Sequence, residues 1–398
     1  MITRATIRDL NLDGKRVLVR VDFNCPVKDG KVKDDNRIVA ALPTLRYLLE
    51  RNATLVLMSH LGRPKGTPDP KLSLAPVAER LSELLGQPVA MAPDCIGDKV
   101  EKMVAELGPG RVLLLENLRF HPGEKKNDPD FAKALAQFGE VYVNDAFGAA
   151  HRAHASTVGV TEFLPAVAGL LMASELEALG SLLTSPKRPF VAVLGGAKVS
   201  DKLGVLDCLI EKADTLLVGG GMAFSFLKAQ GHDIGKSLCE ADLELPRNLL
   251  AKAKEHETTF LLPVDVAVAP NLDAGQERKE VGIEAIPADS MGLDIGTKTI
   301  ATFREKCQAA GTIFWNGPMG VFEVPPFDQG TFEVARAVAG SGAVSCIGGG
   351  DSAAALRQMN LADQITHVST GGGASLEFME GKELPGVAAL KSRQAIAN

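Results

Sequence analysis

PFVAVLGG, Pro189 to Gly196, decides how the chain is read. Apolar residues run from Phe190 to Leu194 without polar alternation, and the run stops at two glycines. A short uninterrupted apolar run suits a strand buried on both faces, as in a parallel sheet covered by helices. Related runs lie upstream: RVLVRVDF (16–23), ATLVLMSH (53–60), RVLLLEN (111–117) and EVYVND (140–145). Downstream come DTLLVGGG (214–221), TFLLPVDVAVA (259–269), GTIFWNG (311–317), GAVSCIGGG (342–350) and THVSTGGG (366–373). Between them the pattern turns helical. Residues 37–51 place Ile38, Ala41, Leu42, Leu45, Leu48 and Leu49 on one face, and 74–85 and 203–210 carry similar stripes. Strand–helix alternation on this scale predicts an α/β protein with Rossmann-like parallel sheets flanked by helices.

The chain has 398 residues, enough for two domains that each bury a core. The periodicity breaks at SPKRPF (185–190), and 165–183 before it reads as one long apolar-striped helix joining two sheets. The predicted boundaries are a first domain over 1–170, a connecting helix and hinge over 171–185, a second domain over 186–377, and a tail over 378–398. No internal repeat or low-complexity tract is present.

A net charge of −6 argues against a general nucleic-acid binder. The apolar run near 163–173 is too short to span a bilayer, and the polar opening MITRATIRDLNLDGKR lacks the apolar core of a signal peptide. A cytoplasmic protein is expected, with a monomer as the default. Cys25, Cys95, Cys208, Cys239, Cys307 and Cys346 lie far apart without a CxxC pair, so reduced thiols are expected rather than a zinc or redox motif.

The strand ends differ between the halves, and in open α/β sheets ligands bind there. In the first half they carry cations: Arg20, His60, Arg63, Arg119, His121, His151, Arg152 and His154, with Arg37 opening the first helix. Arginine forks in an acidic chain suit a small, highly anionic ligand. His151 and His154 lack an obvious third metal ligand, so they fit a helix-face or supporting role better.

In the second half the strand ends carry glycines: LGGAKVSDK, VGGGMAF, WNGPMGVFE, IGGGDSA and STGGGASLE. If a helix opens near Val199, Lys198 and Lys202 would flank N–H groups suited to phosphate. Asp351 is placed to meet Mg²⁺ near nucleotide phosphates, and Glu323 to accept from ribose hydroxyls. The dinucleotide fingerprint is absent from these loops. GHDIGKSL (231–238) approaches a P-loop, but only three residues separate Gly231 from Gly235, one short of the phosphate cradle.

Taken in order, RVDFNCP, SHLGRP, LLENLRFHPGE, NDAFGAAHRAHAS, LGGAKVSDK, GGGMAFSF, WNGPMGVFE, GGGDSA and STGGGASLE resemble the phosphoglycerate kinase family, from near 16 to near 378. Cys25 departs from the valine frequent in that motif, between an intact RVDFN and Pro26. The resemblance implies phosphoryl transfer between 1,3-bisphosphoglycerate and ADP, giving 3-phosphoglycerate and ATP, with Mg²⁺ on the nucleotide. It implies a 3-phosphoglycerate site at Asp22, Phe23, Asn24, Arg37, His60, Leu61, Gly62, Arg63, Arg119, His151 and Arg152. It implies a nucleotide site at Gly195, Gly196, Lys198, Lys202, Gly219, Gly220, Gly292, Asn316, Glu323, Gly349, Gly350, Asp351 and Ser352, with Asp351 toward the metal. The first domain would then hold 3-phosphoglycerate and the second the Mg-nucleotide, with the tail packed back on the first.

The acceptor on either side of this reaction is already an oxyanion, so positioning and charge neutralisation replace a general base. Arg37, Lys198 and Lys202 suit that task, with the N–H groups near Gly371 and Gly372 supporting the transferred group. Charge donors from both domains imply hinge closure. Two other classes fit parts of the inventory. A different acyl-phosphate kinase would need fewer cations, and a clamshell receptor for an anionic sugar would not need the Gly/Lys/Asp loops.

Overall fold

The computed structural model describes residues 4–273 and 275–393. They divide into two compact units, one up to Glu177 together with the residues from Glu383 onward, the other Ala178–Lys382. The division falls inside one helix, and the expected tail's residues 394–398 lie outside the described residues.

The first unit opens with β1 (Arg16–Arg20), the small hairpin β2 (Val27–Lys28) and β3 (Lys31–Val32), and α1 (Asn36–Leu49). It continues through β4 (Thr54–Met58), α2 (Ala75–Leu85), β5 (Val89–Met91), α3 (Asp98–Glu106), β6 (Val112–Leu114), α4 (Pro122–Lys125), α5 (Pro129–Ala136), β7 (Val141–Asn144) and β8 (Ala166–Ala168). A parallel six-stranded sheet results, in the order β5-β6-β4-β1-β7-β8. β4 and β7 are buried throughout, as their uninterrupted apolar runs require. Ile38, Ala41, Leu42, Leu45 and Leu48 turn the apolar stripe of α1 into the core. Local chemistry sets the ends. Asp128 accepts the Phe131 N–H at 2.9 Å to open α5, with Pro129 in its first turn, and Gly86 closes α2 in the left-handed region at φ 70°.

α6 (Leu170–Thr184) follows, and the second unit begins with β9 (Phe190–Leu194), α7 (Leu203–Lys212), β10 (Thr215–Val218), α8 (Met222–Ala229), α9 (Glu244–Glu255) and β11 (Thr259–Leu261). Next come β12 (Asp265–Ala269), β13 (Lys279–Gly282), β14 (Met291–Ile295), α10 (Thr297–Gln308) and β15 (Thr312–Asn316). The unit closes with α11 (Gln329–Ala339), β16 (Val344–Gly348), α12 (Gly350–Gln358), β17 (His367–Val368) and α13 (Gly373–Met379). Its parallel sheet runs β11-β10-β9-β15-β16-β17. Numbered by appearance, that is the 3-2-1-4-5-6 order of a dinucleotide-binding sheet, whose strand order reverses between β9 and β15. The single tryptophan, Trp315, is fully buried beside that reversal and donates its indole N–H to the Gly317 carbonyl at 2.7 Å.

α14 (Pro385–Ala388) belongs again to the first unit. Asn144 Nδ2 donates to Gly386 O at 3.2 Å, Ala5 N to Lys391 O at 2.9 Å, and Lys391 N to Ala166 O at 3.1 Å.

Two expectations are corrected. The segment 165–183 is not one helix: Ala166–Ala168 forms β8 on β7, and α6 starts only at Leu170. Gly169 makes the turn, because a Cβ there would meet the Asp145 carboxylate at 2.1 Å. The segment 259–269 is not one strand either. Pro263 has no N–H to give a ladder, and it divides β11, at the edge of the parallel sheet, from β12, the centre of a separate antiparallel sheet β13-β12-β14.

Candidate active site

In the first unit the predicted cations gather at the carboxyl ends of β1, β4, β6 and β7. Arg37 donates to the Asp22 carboxylate at 2.5 Å. Burial alone would raise the Asp22 carboxyl, but the charges of Arg37 and Arg20 outweigh it and hold it below its ordinary value. Asn24 Oδ1 accepts the Gly62 N–H at 2.8 Å, tying the β1 and β4 ends together. Arg119, 7% exposed, donates to Gly62 O at 2.8 Å, and its Nε is buried without a hydrogen-bond partner. Burial, then the charges of Arg20 and Arg152, push its pKa down to about 10. A buried guanidinium crowded by other cations is a standing demand for an anion. Arg63 and Arg152 are exposed, and Arg152 Nε donates to His151 Nε2 at 3.0 Å.

Several predicted residues contribute in ways the sequence did not show. Phe23 and Leu61 send their side chains into the core, leaving only backbone for a ligand, and the Phe23 N–H already donates to Ser59 Oγ at 2.9 Å. Arg20 points inward. It donates to Ser156 Oγ at 2.8 Å, to the Val21 carbonyl, and to His60 Nδ1 at 3.1 Å. His60 is therefore an acceptor at Nδ1, and burial together with nearby arginines holds its pKa well below the ordinary value. A neutral imidazole with its N–H at Nε2 results. Ser156 in turn donates to the fully buried Glu124, and Glu124 also pairs with His154 at 3.5 Å. His154 and His151 thus have separate partners rather than forming a metal pair.

Asn117 lies within the LLENLRFHPGE motif, and the sequence assigns it no role. Buried, it accepts from the N–H groups of Leu61 and Arg119 and donates to the carbonyls of Leu61 and Leu72, holding two of the ligand loops. His121, counted among the cations, bonds the Asp94 carboxylate at 2.6 Å.

In the second unit a cavity of about 450 Å³ is lined by Gly196, Gly220, Gly292, Glu323 and Asp351, among apolar neighbours such as Phe224 and Leu293. Gly195 directly follows β9 and Asn316 ends β15, the strands flanking the sheet's reversal, and Gly195 N donates to Asn316 O at 3.0 Å. A Cβ on Gly195 would sit 2.0 Å from the Pro318 carbonyl, so only glycine permits this approach. Lys202 donates to Asn316 Oδ1, and burial pushes its pKa down to about 8 against the pull of Asp351 and Asp201. Asn316 Nδ2 is buried with no hydrogen-bond partner. An unspent donor beside a desolvated ammonium suits a phosphate oxygen.

Ser352, in the first turn of α12 after Gly349 and Gly350, accepts the Gly317 N–H at 2.7 Å. Asp351, in the same turn, is exposed, and no hydrogen bond or ion pair to it is present among the described residues. Gly219 packs under Met319, with a would-be Cβ 2.6 Å from its sulfur. Lys198 is exposed. No regular helix opens at Val199; a 3₁₀ turn over Ser200–Lys202 leads into α7 at Leu203. The N–H groups of Val199 and Ser200 are taken by the Glu240 carboxylate. Gly371 N already donates to Ser369 Oγ at 3.1 Å, and α13 begins only at Gly373.

Two open parallel sheets, one with an arginine-rich crevice and the other with a glycine, lysine and asparagine crevice at its reversal, define a two-unit α/β phosphotransferase. The family model for phosphoglycerate kinase matches residues 7–382. Phosphoglycerate kinases from Pelotomaculum thermopropionicum and Rubrobacter xylanophilus are each 58% identical, over 98% and 99% of this chain and 99% and 100% of theirs. The solved phosphoglycerate kinase of Coxiella burnetii superposes with a TM-score of 0.88 at 45% identity, covering 97% of this chain and 98% of its own. That of Pyrococcus horikoshii gives 0.83 at 38%, covering 99% and 100%. The chain belongs to the phosphoglycerate kinase family, and so is a kinase. Among the described residues no helix is long and apolar enough to cross a membrane.

Proposed function

We propose that the chain transfers a phosphoryl group reversibly between 1,3-bisphosphoglycerate and ADP, yielding 3-phosphoglycerate and ATP, as a monomer in the cytoplasm. The observation that carries it is Arg119, buried with its Nε unpartnered and with Arg20 and Arg152 outweighing the nearby Glu124 and Asp22, which calls for a strongly anionic substrate. The first unit holds 3-phosphoglycerate through Arg63, Arg119, His151 and Arg152 at the distal phosphate, with Asp22, Asn24, His60 and the Gly62 backbone orienting the rest. The second holds the nucleotide over Gly196, Gly220 and Gly292, with Glu323 toward the ribose and Lys198, Lys202, Asn316 and Ser352 toward the phosphates.

A carboxylate oxygen attacks the terminal phosphorus directly, in line with the leaving nucleotide oxygen, so no proton need be removed. Arg37, Lys202 and Lys198 neutralise charge on the equatorial oxygens, with the backbone N–H of Gly372 assisting. The exposed, uncommitted Asp351 on the cavity wall fits a divalent cation arriving with the nucleotide. Magnesium there would neutralise phosphate charge, and Asp351 would hold it. Because Arg37 and Lys202 belong to different units, the chemistry requires hinge closure, with α6 and the segment near Ser185 as the hinge.

The test is MgATP-dependent phosphorylation of 3-phosphoglycerate, coupled to NADH oxidation, with unphosphorylated glycerate beside it. Activity with 3-phosphoglycerate alone is expected. Folded protein that binds MgATP but leaves 3-phosphoglycerate untouched would overturn the substrate assignment. Solution scattering should show compaction only with both substrates present; an unchanged radius of gyration would overturn closure.

A further inference from the structure

GHDIGKSLCE, Gly231 to Glu240, has no task in the reaction as described, yet it connects α8 to α9 along the wall of the nucleotide cavity. Ser237 Oγ accepts the N–H of Gly292 at 2.8 Å, and Leu238 also lines the cavity. Glu240 N donates to Ser225 Oγ at 3.1 Å, anchoring the residue on α8. From that anchor the Glu240 carboxylate accepts the Val199 N–H at 3.1 Å and the Ser200 N–H at 3.2 and 3.3 Å. These are the N–H groups that the sequence offers to a phosphate. A carboxylate of the protein holds them instead, where an anion is favoured by a charge-assisted bond.

The placement is specific in its consequences. Val199 and Ser200 stand between Lys198 and Lys202, and the loop before them contains Gly195 and Gly196, the latter at φ 124°. Gly195 N donates to Asn316 O and Gly196 O accepts from Met222 N, so the glycines themselves are held and Val199 and Ser200 are the part that Glu240 fixes. Among the described residues the Glu240 carboxylate forms no ion pair with a cationic side chain, so it shapes backbone rather than neutralising a lysine. We infer that Glu240 is a positioning residue: its carboxylate fixes the backbone between Lys198 and Lys202 and so sets where both ammonium groups meet the nucleotide phosphates. The inference rests on the nucleotide assignment of this cavity. Glu240, just past the stretch that imitates a P-loop, thus serves the phosphate site without itself touching phosphate.

The experiment compares wild type, Glu240→Ala, Glu240→Gln, Lys202→Ala and the Glu240→Ala/Lys202→Ala double variant in the full chain. MgATP binding, thermal midpoint and steady-state kinetics are read for each. Glu240→Ala is expected to lower kcat/KM for MgATP roughly tenfold or more, with KM for 3-phosphoglycerate unchanged. Glu240→Gln, whose amide oxygen still accepts both N–H groups, should recover to within about threefold of wild type. In the Lys202→Ala background the same Glu240→Ala change should cost roughly threefold less than in wild type, the remainder acting through Lys198. A purely structural role would lower the thermal midpoint and cost the same in both backgrounds, and that additive result overturns the inference. So does a folded Glu240→Ala enzyme with wild-type kinetics. If Glu240→Ala does not fold, Glu240→Asp, one methylene short of the loop, takes its place in every comparison. Failure of the wild type itself to bind MgATP overturns the nucleotide assignment, and the inference with it.

Discussion

The ammonium group of Lys202 donates to the side-chain oxygen of Asn316, the last residue of β15. The contact spends Asn316 Oδ1 and leaves Nδ2 buried without a partner, so one amide is half committed and half waiting. Removing either residue therefore disturbs the other. Asn316→Ala should raise KM for MgATP and also return the Lys202 pKa toward its usual range as water enters.

Lys202 also predicts a pH profile. Its pKa is pushed by burial from 10.5 to about 8, so free enzyme loses this cation as pH rises through about 8. kcat/KM for MgATP should fall over that range, and Lys202→Arg should flatten the fall. Stability moves the other way. Between about 8 and 10.5 the unfolded chain still holds the proton that the folded chain has released, so this group adds stability as pH rises there. Kinetics and thermal unfolding across pH 7–10 check both signs.

Arg37→Ala should reduce kcat by roughly a hundredfold or more, because a charge on the transferring group is lost, while MgATP binding stays within about twofold of wild type. Steady-state kinetics with separate nucleotide titration reads both. Unchanged kcat would remove Arg37 from the chemistry.

Much of the site was legible because strand ends concentrate function. Uninterrupted apolar runs marked the strands, and the residue types just beyond them marked the two crevices. What escaped is long-range or short. Glu240 lies 41 residues from Val199, and Ser156 is 136 residues from Arg20; no local pattern joins such pairs. The inward turn of Arg20 is a packing outcome, since an arginine at a strand end reads the same whether it faces ligand or core. β8 was hidden because Ala-Val-Ala suits a helix equally well, and β13, mostly exposed, lacks the apolar run that marks its neighbours.

Glu124 holds the buried charge network behind the first crevice. Glu124→Ala should cost about 3–5 kcal/mol, because the buried carboxylate that reaches Arg20 through Ser156 Oγ and pairs directly with His154 would be lost. Urea unfolding measures it, and a loss under about 1 kcal/mol would show that Arg20 finds water or another partner.

Asp145 gives a test of opposite sign from the paired acids. Burial lifts its pKa from 3.8 to about 6, although it accepts from the N–H groups of Leu171 and Met172 at the start of α6. Its stabilising contribution is complete below 3.8 and is lost as pH rises through about 6. Asp145→Asn, still an acceptor but never charged, should raise the thermal midpoint relative to wild type at pH 7.5, with the gain vanishing near pH 4.

The return of α14 and Lys391 to the first unit has a bearing on biosynthesis. Residues 178–382 form one unbroken stretch, whereas the first unit needs partners for Ala5, Asn144 and Ala166 that are translated after all of them. On the ribosome the usual order, amino-terminal domain first, is therefore reversed for completion. The second unit can finish while the unit made earlier still lacks its closing segment. A chain lacking the residues from Glu383 onward would have the whole of the second unit and a first unit in which Ala5, Asn144 and Ala166 lack these partners.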